Sequence, residues 1–428
     1  GFGIVIFTDN ENEELAKSIQ GKYGTVAGVH WMSNTPQVPL YYNTTYVFDT
    51  NGQLVHIAAY NNMHDNTQVD EAYTTFLKSV FGEPVQHDKF SFDLYTSSDY
   101  SKDGEVFTIQ NATVGKGIDI VFLGDCYDAA DIAAGNYLAD LQEAVGHYFA
   151  IEPYATYKDY FNVYAVLGVS DDSGMGTLNT IKDAKFGSTF GEKNLVQPDM
   201  NMCFEYACKA PIDDNIAQTL IVLVENTTEY GGVCYMYGDG TAVACCPKSA
   251  DAYPYDFRGI VQHEAGGHGF GKLGDEYIYH NAFISTCPCT CCAHDCEFLY
   301  GKAFGWYRNM ELTGDMNQVG WSHLIFHEKY SEFVDIFEGG FMHSRGVYRS
   351  EHNSCMNNDI PYYSTISRES IVKRIMAYAG EEYSFDDFVA NDVVEVEMTE
   401  VKSMDNSFLS NIRASQQHEP VFMGKLPS

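Results

Sequence analysis

His263-Glu264-Ala265-Gly266-Gly267-His268, followed by Asp275-Glu276-Tyr277, is the stretch on which the reading of this 428-residue chain turns. It is one residue longer than H-E-x-x-H, the helical pattern in which two histidines a turn apart face one metal ion and the glutamate serves its bound water. With the second histidine at i+5, an ideal α-helix at roughly 100° per residue carries it about 140° around the axis. The pattern works only if the helix is locally widened. A single-turn π-bulge does this, and such bulges gather at functional sites. Gly266 and Gly267 permit it, since each costs a helix about 1 kcal/mol relative to Ala and lacks a Cβ to resist distortion.

The flanks support a helix that stops and doubles back. Asp256 reads as an N-cap, Phe257, Ile260 and Val261 as an apolar entry, and Gly269 and Gly271 as the stop. Imidazole plus carboxylate suits Zn²⁺. His263 and His268 are therefore the candidate ligands and Glu264 the candidate general base. For the third ligand Asp275 leads, Glu276 follows, and a distant residue such as His352 stands behind. Asp275 and Glu276 also fit a solvated acidic turn, or a pair that orients the histidines.

Composition narrows the partners. Acidic residues number 59 against 25 basic, a formal charge of -34. That balance argues against a nucleic-acid or anionic-membrane partner. No apolar run approaches the roughly 18 residues of a membrane span, so no stable membrane insertion is expected. The chain begins at Gly1 with no signal peptide in view, which reads as a processed or truncated product. Five of the 12 cysteines fall between Cys287 and Cys296. Disulfides stapling an insertion near 285–300 fit this spacing better than a second zinc site. Cys203, Cys208, Cys245 and Cys246 are further candidates for pairing. The pattern points to an extracytoplasmic setting: secreted, periplasmic or cell surface.

Residues 1–110 read as a small α/β accessory domain, weakly similar to the C-terminal half of a thioredoxin fold but without C-x-x-C. Its expected elements are a strand at 3–8, a helix at 12–23, strands at 44–48 and 54–59 flanking Asn51-Gly52, and a helix at 69–81. Residues 91–111 read as a polar linker. Residues 111–428 form the expected catalytic domain. Apolar runs at 118–123, 161–169 and 219–224 read as buried strands, and 129–149 and 367–379 as helices. Strands alternating with helices predict an α/β sheet. Residues 231–246 fit equally an edge strand that holds an extended substrate and an ordinary hairpin. Asp171-Asp172-Ser173-Gly174 fits a cation site or, more commonly, a solvated turn. Met356 fits a methionine turn beneath the metal, or a core methionine. Tyr277 and His352 are candidates to steady an oxyanion.

Taken in order, several segments resemble the IgA peptidase family of metallopeptidases, a metzincin-like zincin group. They are 120–125, 220–224 with Tyr230-Gly231-Gly232, the zinc motif through Tyr277, Glu338-Gly339-Gly340, Tyr348-Arg349 and 367–375. The resemblance spans roughly 117–378. It implies zinc held by His263, His268 and Asp275, with Glu264 as general base. The inserted glycine is a departure, although a six-residue form also occurs in the dipeptidyl peptidase III family. The expected fold is thus α/β: a metzincin-like zinc peptidase domain with a twisted mixed sheet and an active-site helix, preceded by a small α/β domain. The expected function is a secreted or surface zinc-dependent endopeptidase acting on protein or peptide. The rivals are a non-catalytic surface binding protein on a zinc-peptidase scaffold, and a zinc hydrolase of cell-wall or glycan-linked amides.

Overall fold

The computed structural model describes residues 44–48, 54–59, 97–212, 216–284, 293–394 and 418–423. It divides the chain into two units, Gly1–Leu94 and Tyr95–Ser428. In the first, β1 (Thr44–Phe48) pairs antiparallel with β2 (Leu54–Ala59), with a register shift at Val47/Phe48. The elements expected at 3–8, 12–23 and 69–81 lie outside the described residues.

The second unit is built on a seven-stranded mixed sheet. Its strands include β3 (Val106–Gln110), β4 (Ile118–Asp125), β5 (Phe161–Val166), β6 (Leu220–Glu225), β7 (Val233–Met236) and β8 (Ala242–Pro247). A smaller sheet holds β9 (Ile278–Phe283), β10 (Met310–Glu311), β11 (Phe337–Gly340) and β12 (Met342–Arg349). The last strand, β13 (Val421–Phe422), completes the large sheet, whose order is β13-β7-β8-β6-β4-β5-β3. β4, β5, β6 and β8 run parallel, while β3 and β7 are antiparallel to their neighbours β5 and β8.

The central strands read as continuous apolar runs because both faces are covered. Ile120 and Phe122 pack with Leu141, Ala144 and Tyr148 of helix Asn136–Tyr148, and with Val261, Ala265 and Phe270 of the motif helix. Val121 and Leu123 point the other way, towards Cys203, Tyr206 and Ala207 of helix Met200–Ala207. Two expectations change. The helix expected over 129–149 is two helices, because Gly135 sits at φ 85° as the left-handed cap of the first. The expected linker 91–111 contains β3, a sheet strand of only five residues, Val-Phe-Thr-Ile-Gln, at the end of an otherwise polar stretch. Among the described residues, no helix is long and apolar enough to cross a membrane.

The motif helix begins as one α-turn, Phe257–Ile260, capped by Asp256, whose side chain accepts from Gly259 N–H. It then continues as a ten-residue π-helix, Val261–Phe270. Its hydrogen bonds run from i to i+5, as from Gly271 N–H to the Gly266 carbonyl at 2.9 Å. Tyrosine hydroxyls from elsewhere support the widened turns. Tyr154 donates to the Gly266 carbonyl at 2.6 Å, and Tyr363 donates to that of Gln262. The glycines let these neighbours in. A Cβ on Gly266 would strike the Tyr363 hydroxyl, one on Gly267 the Met356 sulfur, and one on Gly269 the Leu220 side chain.

This packing makes a prediction. Gly266→Ala gains about 1 kcal/mol of helix propensity but must overpack against Tyr363, and overpacking costs about 1–3 kcal/mol. We expect a net loss of stability in urea denaturation. Adding Tyr363→Phe should recover part of that loss, since it removes the colliding hydroxyl. Strictly additive losses would show that this hydroxyl does not support the widened helix.

Candidate metal centre

In the π-helix, residues i and i+5 lie one turn apart, so His263 and His268 share a face. Backbone carbonyls fix which nitrogen of each ring faces inward. His263 Nδ1 donates to the Cys355 carbonyl at 3.0 Å, with Asp359 Oδ1 2.8 Å away on the same side. His268 Nδ1 donates to the Leu273 carbonyl at 2.8 Å. Both rings therefore turn Nε2 inward. The two Nε2 atoms are 3.1 Å apart, and Asp275 Oδ1 lies 3.0 Å from one and 3.1 Å from the other. All three residues are buried.

Three electron-pair donors this close repel unless a cation or a proton lies among them. For tetrahedral zinc with bonds of about 2.0–2.1 Å, neighbouring ligand atoms sit roughly 3.3 Å apart, so this triangle is nearly the required size. Two buried carboxylate oxygens, Glu264 Oε2 and Asp275 Oδ2, also have no hydrogen-bond partner among the described residues. The residues present thus fit a divalent ion, and His263, His268 and Asp275 could hold it. The electrostatics agree. Burial opposes the Asp275 carboxylate, yet His268 and His263 hold its pKa down to about 2. Burial also opposes a charged His263, but Asp359 and Asp275 outweigh it and raise its pKa. Glu264 is different: burial lifts its pKa well above the usual carboxylate range, against the pull of His263.

The loop after the π-helix is tightly tied. Lys272 adopts φ 52°, and Leu273 N–H donates back to the Gly267 carbonyl at 3.0 Å. Asn309 brackets Gly274, accepting its N–H at 2.9 Å and donating to its carbonyl at 2.8 Å. Glu276 does not join the trio. Its carboxylate accepts from Asn309 at 2.9 Å and from Ser354 at 2.6 Å, and its N–H donates to the Met356 carbonyl at 2.7 Å. Burial raises its pKa to about 7, against the Ser354 and Asn309 bonds. Glu276 thereby joins the Asp275 loop to the Met356 turn, Cys355–Asn358. Met356 is fully buried, with its sulfur against Gly267.

Tyr277 lies nearly parallel to His263, with centroids 6.3 Å apart. His352 is not brought to the trio. It is exposed, and its ring meets Phe337 edge-on at 5.9 Å. Asp359, beside His263, carried no signal in the sequence beyond its place three residues after Met356. Asp171–Gly174 forms a turn in which Asp172 accepts from Asp183 N–H at 2.8 Å. Among the described residues, only the trio has the spacing of a metal cluster.

The cysteine expectation needs correction. Cys203, Cys208, Cys245 and Cys246 are free thiols. Cys245 and Cys246 are neighbours on β8, so their side chains enter opposite cores. The expected staples among Cys287–Cys296 lie outside the described residues.

No curated protein matches the chain. The stretch matched by a protein family takes in the large sheet from β3 to β8, the π-helix, the trio and Tyr277, but not the Met356 turn. Residues 108–286 match the family model described as IgA Peptidase M64, so this part of the chain is similar to that peptidase family.

Proposed function

We propose that this chain is a zinc-dependent endopeptidase with a metzincin-like catalytic unit, secreted or at the cell surface, with the Gly1–Leu94 unit as an accessory domain in place of the expected 1–110, because β3 belongs to the large sheet. The observation that carries the reading is the convergence of His263 Nε2, His268 Nε2 and Asp275 Oδ1 at 3.0–3.1 Å in a buried site. Zinc is the ion favoured by this donor set. When bound, such an ion polarises a peptide carbonyl and lowers the pKa of water to about 7.

The chain's own residues supply the rest. With Nδ1 donating to a carbonyl, the neutral ring of each of His263 and His268 presents its Nε2 lone pair to the centre of the trio. Asp359 backs His263 as a carboxylate does in many histidine metal sites. Glu264 sits against Gly232 at the start of β7, so a peptide laid along β7 passes beside it. Its Oε2 can take the proton of the attacking water and return it to the leaving amine. The Tyr277 hydroxyl is kept protonated by burial first, then by Asp275, and can donate to a developing oxyanion.

An orphaned buried carboxylate stabilises no fold contact, which favours a catalytic scaffold over a purely binding one. The test is incubation with a diverse peptide library, with and without chelator, alongside measurement of bound metal. Cleavage that stops with chelator and returns with zinc is expected. Metal binding with no cleavage in any condition would favour the binding protein, and cleavage confined to glycan-linked amides would favour the third reading.

A further inference from the structure

Strand β7 does not end the large sheet. Val421 and Phe422 of β13 pair with Tyr235 and Met236 in parallel, and Met423 N–H donates to the Met236 carbonyl at 2.9 Å. Carried back in the same register, Glu419 falls level with Val233 and His418 with Gly232, the residue packed against Glu264. The segment is held on both sides as it passes. His418 Nε2 lies 2.9 Å from the Lys193 carbonyl. Neighbouring Asn194 donates to the Tyr230 carbonyl at 2.8 Å, just before β7. Pro420 is buried, and the Phe422 ring rests 5.8 Å from Trp306 and 5.4 Å from Phe304.

We propose that residues 418–423 are a removable occupant of the peptide-binding edge of β7, holding the catalytic centre latent until this C-terminal strand is displaced or cut away. The inference rests on the peptidase reading above. An extended peptide binds a sheet by adding a strand to a free edge. On β7 that edge is already taken by the chain itself, so the two are mutually exclusive. The hold is suited to release. Only two residue pairs join β13 to β7, parallel pairing is the weaker kind, and Val421 and Phe422 remain half-buried. Segments with so few contacts open locally at small cost. A strand serving only to cap the edge would need no continuation past Gly232 to Lys193. Once Phe422 leaves, an aromatic side chain of an incoming peptide takes its place against the Trp306 and Phe304 rings.

The test compares the full chain with a variant lacking residues 418–428, and with Phe422→Ala and Met423→Pro in the full chain. The point variants loosen the strand without touching the metal trio or Glu264, and they stand in if the truncation fails to fold. With the best library peptide, kcat/KM should rise at least about tenfold on truncation, and partway in the point variants. A labelled His-Glu-Pro-Val-Phe-Met peptide should bind the truncated chain in fluorescence anisotropy but not the full chain, and should inhibit competitively. Equal kcat/KM in all forms, with no binding of the labelled peptide, would overturn the proposal and leave the peptidase reading intact. Binding to the truncated chain alone, with no cleavage by any form, would leave the tail as occupant of the edge and remove the peptidase reading.

Discussion

Glu264→Gln should retain bound metal and lose turnover by about 10²- to 10⁴-fold, the range attributed to a positioned general base. The variant is a clean one. Glu264 is outside the trio, so metal content should not change. Its Oε2 has no hydrogen-bond partner among the described residues, so no structural bond is lost there. Its carboxylate is buried against Gly232, and glutamine fills the same volume. Burial already raises the pKa of the acid, meaning that the charged form costs stability in this position. Replacing it with a neutral amide should therefore leave the melting temperature equal or higher. Loss of activity alongside full metal and unimpaired stability isolates the proton-transfer role. The fall should appear in kcat and kcat/KM together, with KM little changed, because the group acts in the transition state. Turnover equal to that of the parent chain would remove Glu264 from the mechanism.

The large sheet was legible because its chemistry is local. Ile120–Leu123 and Leu220–Val224 are buried on both faces, and their unbroken apolar runs say so. The π-helix was legible in part, since histidines at i and i+5 demand a wider turn to share a face. Its full length was not. Ten residues, rather than a single bulge, take the π form. The neighbours that press into Gly266, Gly267 and Gly269 are Tyr363, Met356 and Leu220, none of them close in sequence. The choice between Asp275 and Glu276 was hidden for the same reason, because the groups that hold Glu276 away, Asn309 and Ser354, come from later loops. His352, a candidate for its imidazole alone, turns its ring to Phe337 through folding that no local pattern signals. The pairing expected of Cys203, Cys245 and Cys246 does not form, because each serves as a small buried apolar side chain, and Cys245 and Cys246 enter opposite cores.

Asp275→Ala and Glu276→Ala, made separately, should part company. Asp275 contributes the only carboxylate oxygen within 3.1 Å of both Nε2 atoms among the described residues, and its removal leaves two imidazoles. Metal should be lost on dialysis, and with it the stabilisation that saturating metal confers. At a concentration 100 times the dissociation constant that amounts to about 2.7 kcal/mol, read as a rise in melting temperature when zinc is added to the stripped parent chain. The Asp275 variant should show almost none of that rise. Its apo form should also melt lower, because the substitution removes a carboxylate that His268 and His263 stabilise through Oδ1. Glu276→Ala should behave in the opposite way towards metal. It leaves one N–H of the Asn309 amide and the Ser354 hydroxyl without their acceptor, each buried, and each such loss costs about 1–3 kcal/mol. The apo protein should melt lower, yet it should still bind one metal ion and still rise on adding zinc. The metal-dependent shift, rather than the melting temperature itself, is therefore the discriminating quantity. If it vanishes only in the Glu276 variant, the third ligand is Glu276 and the Asp275 contacts are those of a hydrogen-bonded apo trio.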